Sequence, residues 1–139
     1  VVSHWGPAGG RFSELAGPNA SRVHFIQTYV FTDHNSAKGD QVLSALKSTY
    51  PEIETLADIT PAVGIANAYD GMHLAALAIE KAGNTEGTAV RDGFYAIDEY
   101  QGLIKDYKQP FTAEQHDALG PQDYIFTHFV DGSIVPVKP

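Results

Sequence analysis

Cysteine is absent from the 139 residues. Without thiols the chain can form no disulfide, no thiolate metal site and no cysteine nucleophile, and the redox compartment stays undecided. Basic residues are also scarce: nine Lys and Arg against 17 Asp and Glu give a formal net charge of −8. This surplus of negative charge argues against nucleic acid or an anionic membrane as the main partner.

Long apolar runs are missing as well. The most apolar stretch, residues 60–83, contains Asp70, His73 and Glu80, so no run approaches the ~20 apolar residues of a membrane-spanning helix. No signal peptide is recognisable at the start, which is Val1-Val2 without a methionine. We therefore expect a piece of a longer protein that begins inside or just before a strand.

Residue patterns of catalytic and metal sites are absent too. The sequence contains neither a Gly-x-Ser-x-Gly elbow nor a His-Glu-x-x-His motif, and its histidines form no i,i+4 pair. Carboxylates such as Glu14, Glu52 and Glu54 are typical of a solvated acidic surface. We predict no enzyme activity, no catalytic residue, no metal site and no cofactor. A small α/β enzyme would require a pocket with a hydrogen-bonded Ser/His or carboxylate pair.

What the sequence does contain is an alternation of strand and helix signals. Apolar spacing predicts helices over 11–16, 37–49 and 60–83, and another that opens at Thr85 or Glu86. Residues that favour β-structure predict strands over 1–3, 22–30 and 102–104, and a hairpin of 124–129 with 133–137. Residues 32–36 indicate a turn, and 110–119 a turn or short helix. This order predicts an α/β fold with a parallel sheet flanked by helices.

The longest predicted helix, 60–83, is apolar on nearly every side. Thr60 can cap it, Pro61 suits its first turn, and Gly83 ends it. One apolar stripe, at steps of four and three, comprises Ile65, Tyr69, Met72, Ala76 and Ile79. We expect a core helix that is buried on several sides.

Several ordered segments resemble one family. They are Ser3-His4-Trp5-Gly6, 12–17, Ala68-Tyr69-Asp70-Gly71, 78–83 with Thr85, 89–92, 124–126 and 130–137. Together they span essentially the whole chain, and the ordered set is more specific than any single motif. The chain resembles the C-terminal part of type I periplasmic binding proteins, and within them the leucine/isoleucine/valine-binding receptors of ABC transporters.

The resemblance implies two three-layer lobes joined by crossing segments. Crossings near 27–31 and 119–123 would assign 1–28 with 121–139 to one lobe and 29–120 to the other. Neither lobe would be complete within this chain. Exposed sheet edges would then be covered by a missing segment, a partner chain or self-association.

The resemblance also implies a ligand cleft. Ser3, His4, Trp5 and Gly6 follow a strand, at the edge where open α/β sheets bind ligands. Trp5 stands where amino-acid-binding relatives have an acidic residue, so we expect an aromatic or less polar ligand; an exposed or packing tryptophan is the alternative. The glycine-rich turn 6–10 could offer N–H groups to an anion or be a plain tight turn.

Two further segments are predicted to approach the ligand. Tyr29 and Phe31 lie at the first crossing, where an aromatic ring could line the cleft; core packing is the alternative for each. Val63 and Gly64 lie at the start of the long helix, whose N-terminus would suit a carboxylate or carbonyl. Close helix packing is the alternative for Gly64.

These inferences favour a solute-binding protein, or the C-terminal part of one, that delivers a small ligand to an ABC importer. The ligand is expected to be amino-acid-like, or aromatic or a carboxylate. Its partners would be the ligand and the permease subunits, with no nucleic acid. By resemblance it would be periplasmic, or extracellular and lipid-anchored, and secreted by a signal peptide not present here. The alternative is a ligand-sensing regulatory domain of the same fold, which a fused DNA-binding or kinase segment would favour.

Overall fold

Four strands form a mixed sheet in the computed structural model, which describes residues 1–34 and 36–138. The strands, in the spatial order β1-β2-β5-β6, are β1 (Val2–Ser3), β2 (His24–Gln27), β5 (Ile125–Val130) and β6 (Ser133–Pro136). β1 and β2 run parallel, whereas β5 is antiparallel to both β2 and β6. The α/β class is confirmed, but the sheet is mixed, not parallel throughout.

The antiparallel part follows from the turn between β5 and β6. Val130 pairs with Ser133, which leaves Asp131 and Gly132 as a two-residue turn. Both have positive φ, 48° and 82°. This is the type I′ conformation that Asp-Gly favours, and a two-residue connection can join only antiparallel strands. The predicted hairpin is confirmed.

Four helices accompany the strands in the described residues. They are α1 (Phe12–Ala16), α2 (Ala37–Thr49), α3 (Ala62–Ala82) and α4 (Gly87–Tyr95). α2 has the predicted bounds because its ends carry local signals: Ser36 Oγ accepts the Gly39 N–H at 3.0 Å, and Pro51 follows the last turn. No helix among the described residues is long and apolar enough to cross a membrane.

Some predicted elements were wrong or too long. Residues 102–104 are not a strand but lie in the turn of an antiparallel hairpin formed by β3 (Glu99–Gln101) and β4 (Asp106–Lys108). The predicted strand 22–30 shortens to β2, and 110–119 contain neither helix nor strand. Asn35, part of the predicted turn 32–36, lies outside the described residues.

The chain separates into two units, Val1–Ile65 with Tyr124–Pro139, and Ala66–Asp123. The core of the first unit comprises Ala8, Ala20, Phe25, Val30, Phe129 and Ile134. The core of the second comprises Leu74, Ala78 and Ile97, with Leu77, Val90, Phe94, Tyr100 and Phe111 packed against them. The lobe crossings near 27–31 and 119–123 stay a prediction.

The buried face of α3 in the second unit differs from the predicted stripe. Buried positions recur at every fourth residue: Ala66, Asp70, Leu74 and Ala78. Met72 and Ile79, by contrast, are 72% and 39% exposed. The expectation of burial on several sides was wrong for this stripe. When a helix is apolar nearly all round, the spacing of its apolar residues does not indicate which face is buried.

A buried carboxylate fixes that face. Asp70 is only 2% exposed. Its Oδ1 accepts the Leu103 N–H at 2.5 Å, and its Oδ2 accepts the Ile104 N–H and the Tyr107 hydroxyl, both at 2.9 Å. These bonds join α3 to the β3–β4 hairpin. Gly102 makes room for them, since a Cβ there would lie 2.7 Å from Asp70 Oδ2.

The tyrosines around this carboxylate remain protonated. Burial, together with the Asp70 charge and its hydrogen bond, raises the pKa of Tyr107 far above its ordinary value. Burial and then the Asp70 charge also raise the pKa of Tyr100 to about 12. The Tyr107 hydroxyl is therefore a donor to Asp70 throughout the physiological range.

Replacing Asp70 by asparagine should destabilise the chain by about 3 kcal/mol, because an amide cannot accept from all three buried donors. Tyr107→Phe removes one donor and leaves both backbone bonds, so it should cost about 1 kcal/mol. Urea unfolding monitored by circular dichroism measures both. The matched control is Asp92→Asn, an exposed carboxylate, which should change stability by less than about 0.5 kcal/mol. Equal losses for Asp70→Asn and Asp92→Asn would contradict the central role of this network.

Close packing of α4 on α3 depends on Gly93. A Cβ at this position would overlap the carbonyl oxygen of Ala78, whereas one at Gly87, at the start of the same helix, would meet nothing within 4 Å. Gly93→Ala should cost about 2 kcal/mol because the clash is with backbone. Gly87→Ala should be neutral or slightly stabilising. Thermal unfolding of both variants tests this, and a harmless Gly93→Ala would show that the two helices pack less closely.

An ion pair ties the β3–β4 turn to the end of the second unit. Lys105 Nζ lies 2.5 Å from Asp123 Oδ2, which also accepts the Gly120 N–H at 2.8 Å. Burial opposes ionisation of Asp123, but the Lys105 hydrogen bond, the Gly120 N–H and the Lys105 charge together hold its pKa below the ordinary value.

This shift predicts a pH-dependent stability difference. A carboxyl whose pKa is lower in the folded chain than its unfolded value of about 3.9 stabilises the fold above that pH, and loses this contribution as pH falls through the folded pKa. The wild type should therefore exceed Asp123→Asn by about 1 kcal/mol at pH 7, and the difference should shrink below about pH 4. Denaturant unfolding at a series of pH values measures it; a difference independent of pH would contradict the assignment.

Candidate ligand-binding site

The first predicted segment forms a tight turn after β1. Ser3 ends the strand and pairs with Phe25 of β2. His4 Nδ1 accepts the Gly6 N–H at 2.9 Å, which places the proton of a neutral imidazole on Nε2. The Trp5 carbonyl accepts the Ala8 N–H at 2.9 Å, and Ala8 is buried. The turn is thus anchored, while the Trp5 indole is 49% exposed and presents a flat apolar face.

The second predicted segment, Tyr29 and Phe31, is buried. Their rings meet edge to face with centroids 5.1 Å apart, and the His34 ring lies 5.9 Å from Phe31 and 6.5 Å from Tyr29. We call these three residues the aromatic cluster. Burial of both rings fits the core-packing alternative.

His34 is the member of this cluster that sequence reasoning missed. Its Nδ1 lies 2.5 Å from the Phe31 carbonyl oxygen and its Nε2 lies 3.1 Å from Asp40 Oδ1. Both partners can only accept, so both contacts are hydrogen bonds only when the ring carries two protons. The only signal in the sequence is the adjacent Asp33-His34 pair, which does not by itself indicate this contact. Among the described residues, no group of three or more His, Cys, Asp or Glu could hold a metal ion.

The third predicted segment, Val63 and Gly64, lies in the first turn of α3. Val63 is buried and Gly64 is exposed. The Gly64 N–H already donates to the Pro61 carbonyl at 3.1 Å. Gly64 would therefore let a ligand approach the helix closely because it has no side chain, and its N–H would not be the group that binds the ligand.

Parallel pairing brings the first two segments to one edge of the sheet. Because β1 and β2 run in the same direction and Ser3 lies opposite Phe25, the Ser3–Gly6 turn and the chain after Gln27 leave the sheet at the same end. Gln27 itself is wholly buried, and its Oε1 has no hydrogen-bond partner among the described residues. An unsatisfied buried acceptor at this edge is a second feature that residue patterns did not indicate.

Two cavities formed by described residues of the first unit do not bring the predicted residues together. A space beside Phe31 has a volume of about 10 Å³, which is no larger than one water molecule requires. A cavity of about 370 Å³ in the same unit is lined by other residues: Ser13, Glu14, Gly17, Pro18, Ala20, Ser21, Phe129, Asp131 and Gly132. The structure thus joins His4 with Gly6 and Tyr29 with Phe31, and the composition of the ligand site stays a prediction.

Solved structures share this fold. The periplasmic binding protein type 1 from Bordetella pertussis Tohama I matches with a TM-score of 0.74 and 20% identity, over 98% of this chain and 38% of that chain. This chain has the fold of part of a type I periplasmic binding protein. No protein-family model and no curated protein matches the sequence.

Two further type I periplasmic binding folds match almost the whole chain. The branched-chain amino acid transporter substrate-binding protein from Streptococcus pneumoniae, solved in complex with isoleucine, matches with a TM-score of 0.69 and 24% identity, over 99% of this chain and 37% of that one. An ABC-transporter solute-binding protein from R. palustris, in complex with benzoate, matches with a TM-score of 0.61 and 15% identity, over 95% and 32%. The chain spans 32 to 38% of the length of these three structures.

Proposed function

We propose that this chain is part of an extracytoplasmic solute-binding protein that delivers a small ligand to an ABC importer. The observation that supports it most is the match of nearly the whole chain to periplasmic and ABC-transporter binding proteins. The protein would be periplasmic, or extracellular and lipid-anchored, after secretion by a signal peptide. Its partners would be the ligand and the permease subunits of the transporter.

The proposed mechanism is capture, not catalysis. Two lobes, 1–28 with 121–139 and 29–120, would rotate about the crossings near 27–31 and 119–123 and close over the ligand. The ligand would stabilise the closed form only by binding it more tightly than the open form.

The proposed ligand is amino-acid-like, or aromatic or a carboxylate. An exposed indole at Trp5, next to the side chains of Ser3 and His4, would offer a flat apolar face beside hydrogen-bonding groups. Val63 and Gly64 would approach the ligand from the start of α3. The benzoate complex of the R. palustris protein shows that a protein of this fold accepts an aromatic carboxylate.

Self-association through sheet edges is a further part of the proposal. β1 and β6 are the edges of the four-stranded sheet, and Val1 and Val2 are largely exposed. An uncovered edge strand offers unpaired backbone groups to another chain. Dimers formed this way would dissociate on dilution, which sedimentation velocity at several concentrations measures.

Thermal unfolding with and without isoleucine, phenylalanine, benzoate or glucose tests ligand capture. A ligand that binds only the folded chain stabilises it by about 2.7 kcal/mol at one hundred times its Kd, so one chemical class should raise the midpoint in a concentration-dependent manner. Trp5 is the only tryptophan, and its emission should change in the same titrations. A cooperative transition with no shift for any ligand would contradict a working site within this chain.

The Trp5→Ala variant tests the site. It should reduce the ligand-dependent shift by at least about 1 kcal/mol, the contribution of a buried aromatic contact. The matched control is Tyr50→Ala, since Tyr50 has the same 49% exposure as Trp5 in the same unit but lies outside the predicted site. Equal shifts in the two variants would exclude Trp5 from the site.

A further inference from the structure

The second unit contains a cavity that the ligand site above does not use. It has a volume of about 600 Å³ and lies between the end of α3, α4 and residues 111–116. Small-molecule pockets in proteins span roughly 300 to 1,000 Å³. None of the residues predicted to contact the transported ligand lines it.

The floor of the cavity is apolar and belongs to the core of the unit. Phe94 and Phe111 meet edge to face, with centroids 5.3 Å apart and planes at 86°. Val90 and both phenylalanines pack against the buried cluster of Leu74, Ala78 and Ile97. Because the floor is part of that core, the cavity is formed without rearrangement, which lowers the cost of binding.

The rim of the cavity carries cationic and hydrogen-bonding groups. Arg91 stacks over the Tyr95 ring at 6.0 Å, and the Tyr95 hydroxyl lies 3.0 Å from His116 Nε2. Arg91 Nε and Nη2 lie 2.9 and 2.7 Å from Asp92 Oδ1. Both members of that ion pair are exposed, so water competes with it and the pair contributes little. A guanidinium has five N–H donors, and a carboxylate can bind beside Asp92.

We propose that this cavity binds a small amphipathic anion, with its ring or short chain on Phe94 and Phe111 and its carboxylate at Arg91. An apolar floor and a cationic rim match the two ends of such a molecule. The site is separate from the proposed capture of a transported ligand and does not depend on it.

Sodium octanoate, with octanamide as its uncharged analogue, tests the proposal by isothermal titration calorimetry on the whole chain. Octanoate should bind saturably in the millimolar range or tighter, up to about 10 mM. Arg91→Gln should weaken octanoate about fivefold, as expected for one exposed charge contact, and leave octanamide almost unchanged. Arg22→Gln, an arginine of the other unit, is the matched control and should alter neither.

Blocking the cavity with a larger side chain is an independent test of the proposal. Val90→Trp should abolish binding of both probes, and thermal unfolding verifies that the variant folds. If it does not fold, Thr85→Trp blocks the same cavity from an exposed rim position. Absence of saturable octanoate binding would overturn the proposal, as would binding that survives the folded blocking variant. Octanoate binding that Trp5→Ala removes and the blocking variant spares would assign the anion to the other site instead.

Discussion

The carboxylate of Asp70 is the constraint on which the second unit depends. A buried charge is expensive unless hydrogen bonds replace its water. Here two backbone N–H groups and the Tyr107 hydroxyl do so, and all three come from the β3–β4 hairpin. The requirement works in both directions: Asp70 needs the hairpin turn, and the turn needs an acceptor for N–H groups that no strand satisfies. The rotation of α3 about its axis follows, because only one face can present Asp70 to these donors.

Local signals explain which parts of the fold could be predicted. Ser36 and Pro51 bound α2, Gly83 follows α3, and Asp131-Gly132 favours the two-residue turn that joins β5 to β6. Long-range contacts explain the errors. Gly102-Leu103-Ile104 has the composition of a strand, but the Leu103 and Ile104 N–H groups bond to a carboxylate more than thirty residues earlier. Nothing near these residues indicates that partner, and the same contact decides which face of α3 is buried.

The predicted ligand residues show the same limit. The α/β pattern predicts the parallel direction of β1 and β2, and that direction is sufficient to place the Ser3–Gly6 turn and the chain after Gln27 at one edge of the pair. The neighbours of a side chain do not follow from that pattern. The His34 ring packs against Tyr29 and Phe31, and its Nε2 contacts the carboxylate of Asp40 in α2. Residue spacing indicates neither contact. The chain spans 32 to 38% of the length of the three structures named above.

Rigid interiors would suit the proposed capture of a ligand. Closure of two lobes around a ligand is efficient when the lobes move as bodies and the change in φ and ψ is confined to the connecting segments. Every member of the Asp70 network falls within 29–120, the segment assigned to one lobe, so closure would leave its hydrogen bonds intact. The aromatic cluster of Tyr29, Phe31 and His34, in contrast, lies at or next to the proposed crossing. In the proposed mechanism, the ligand would spend its binding free energy on selecting the closed arrangement and not on ordering the lobes, since the Asp70 hydrogen bonds already order a hairpin and a helix of one proposed lobe.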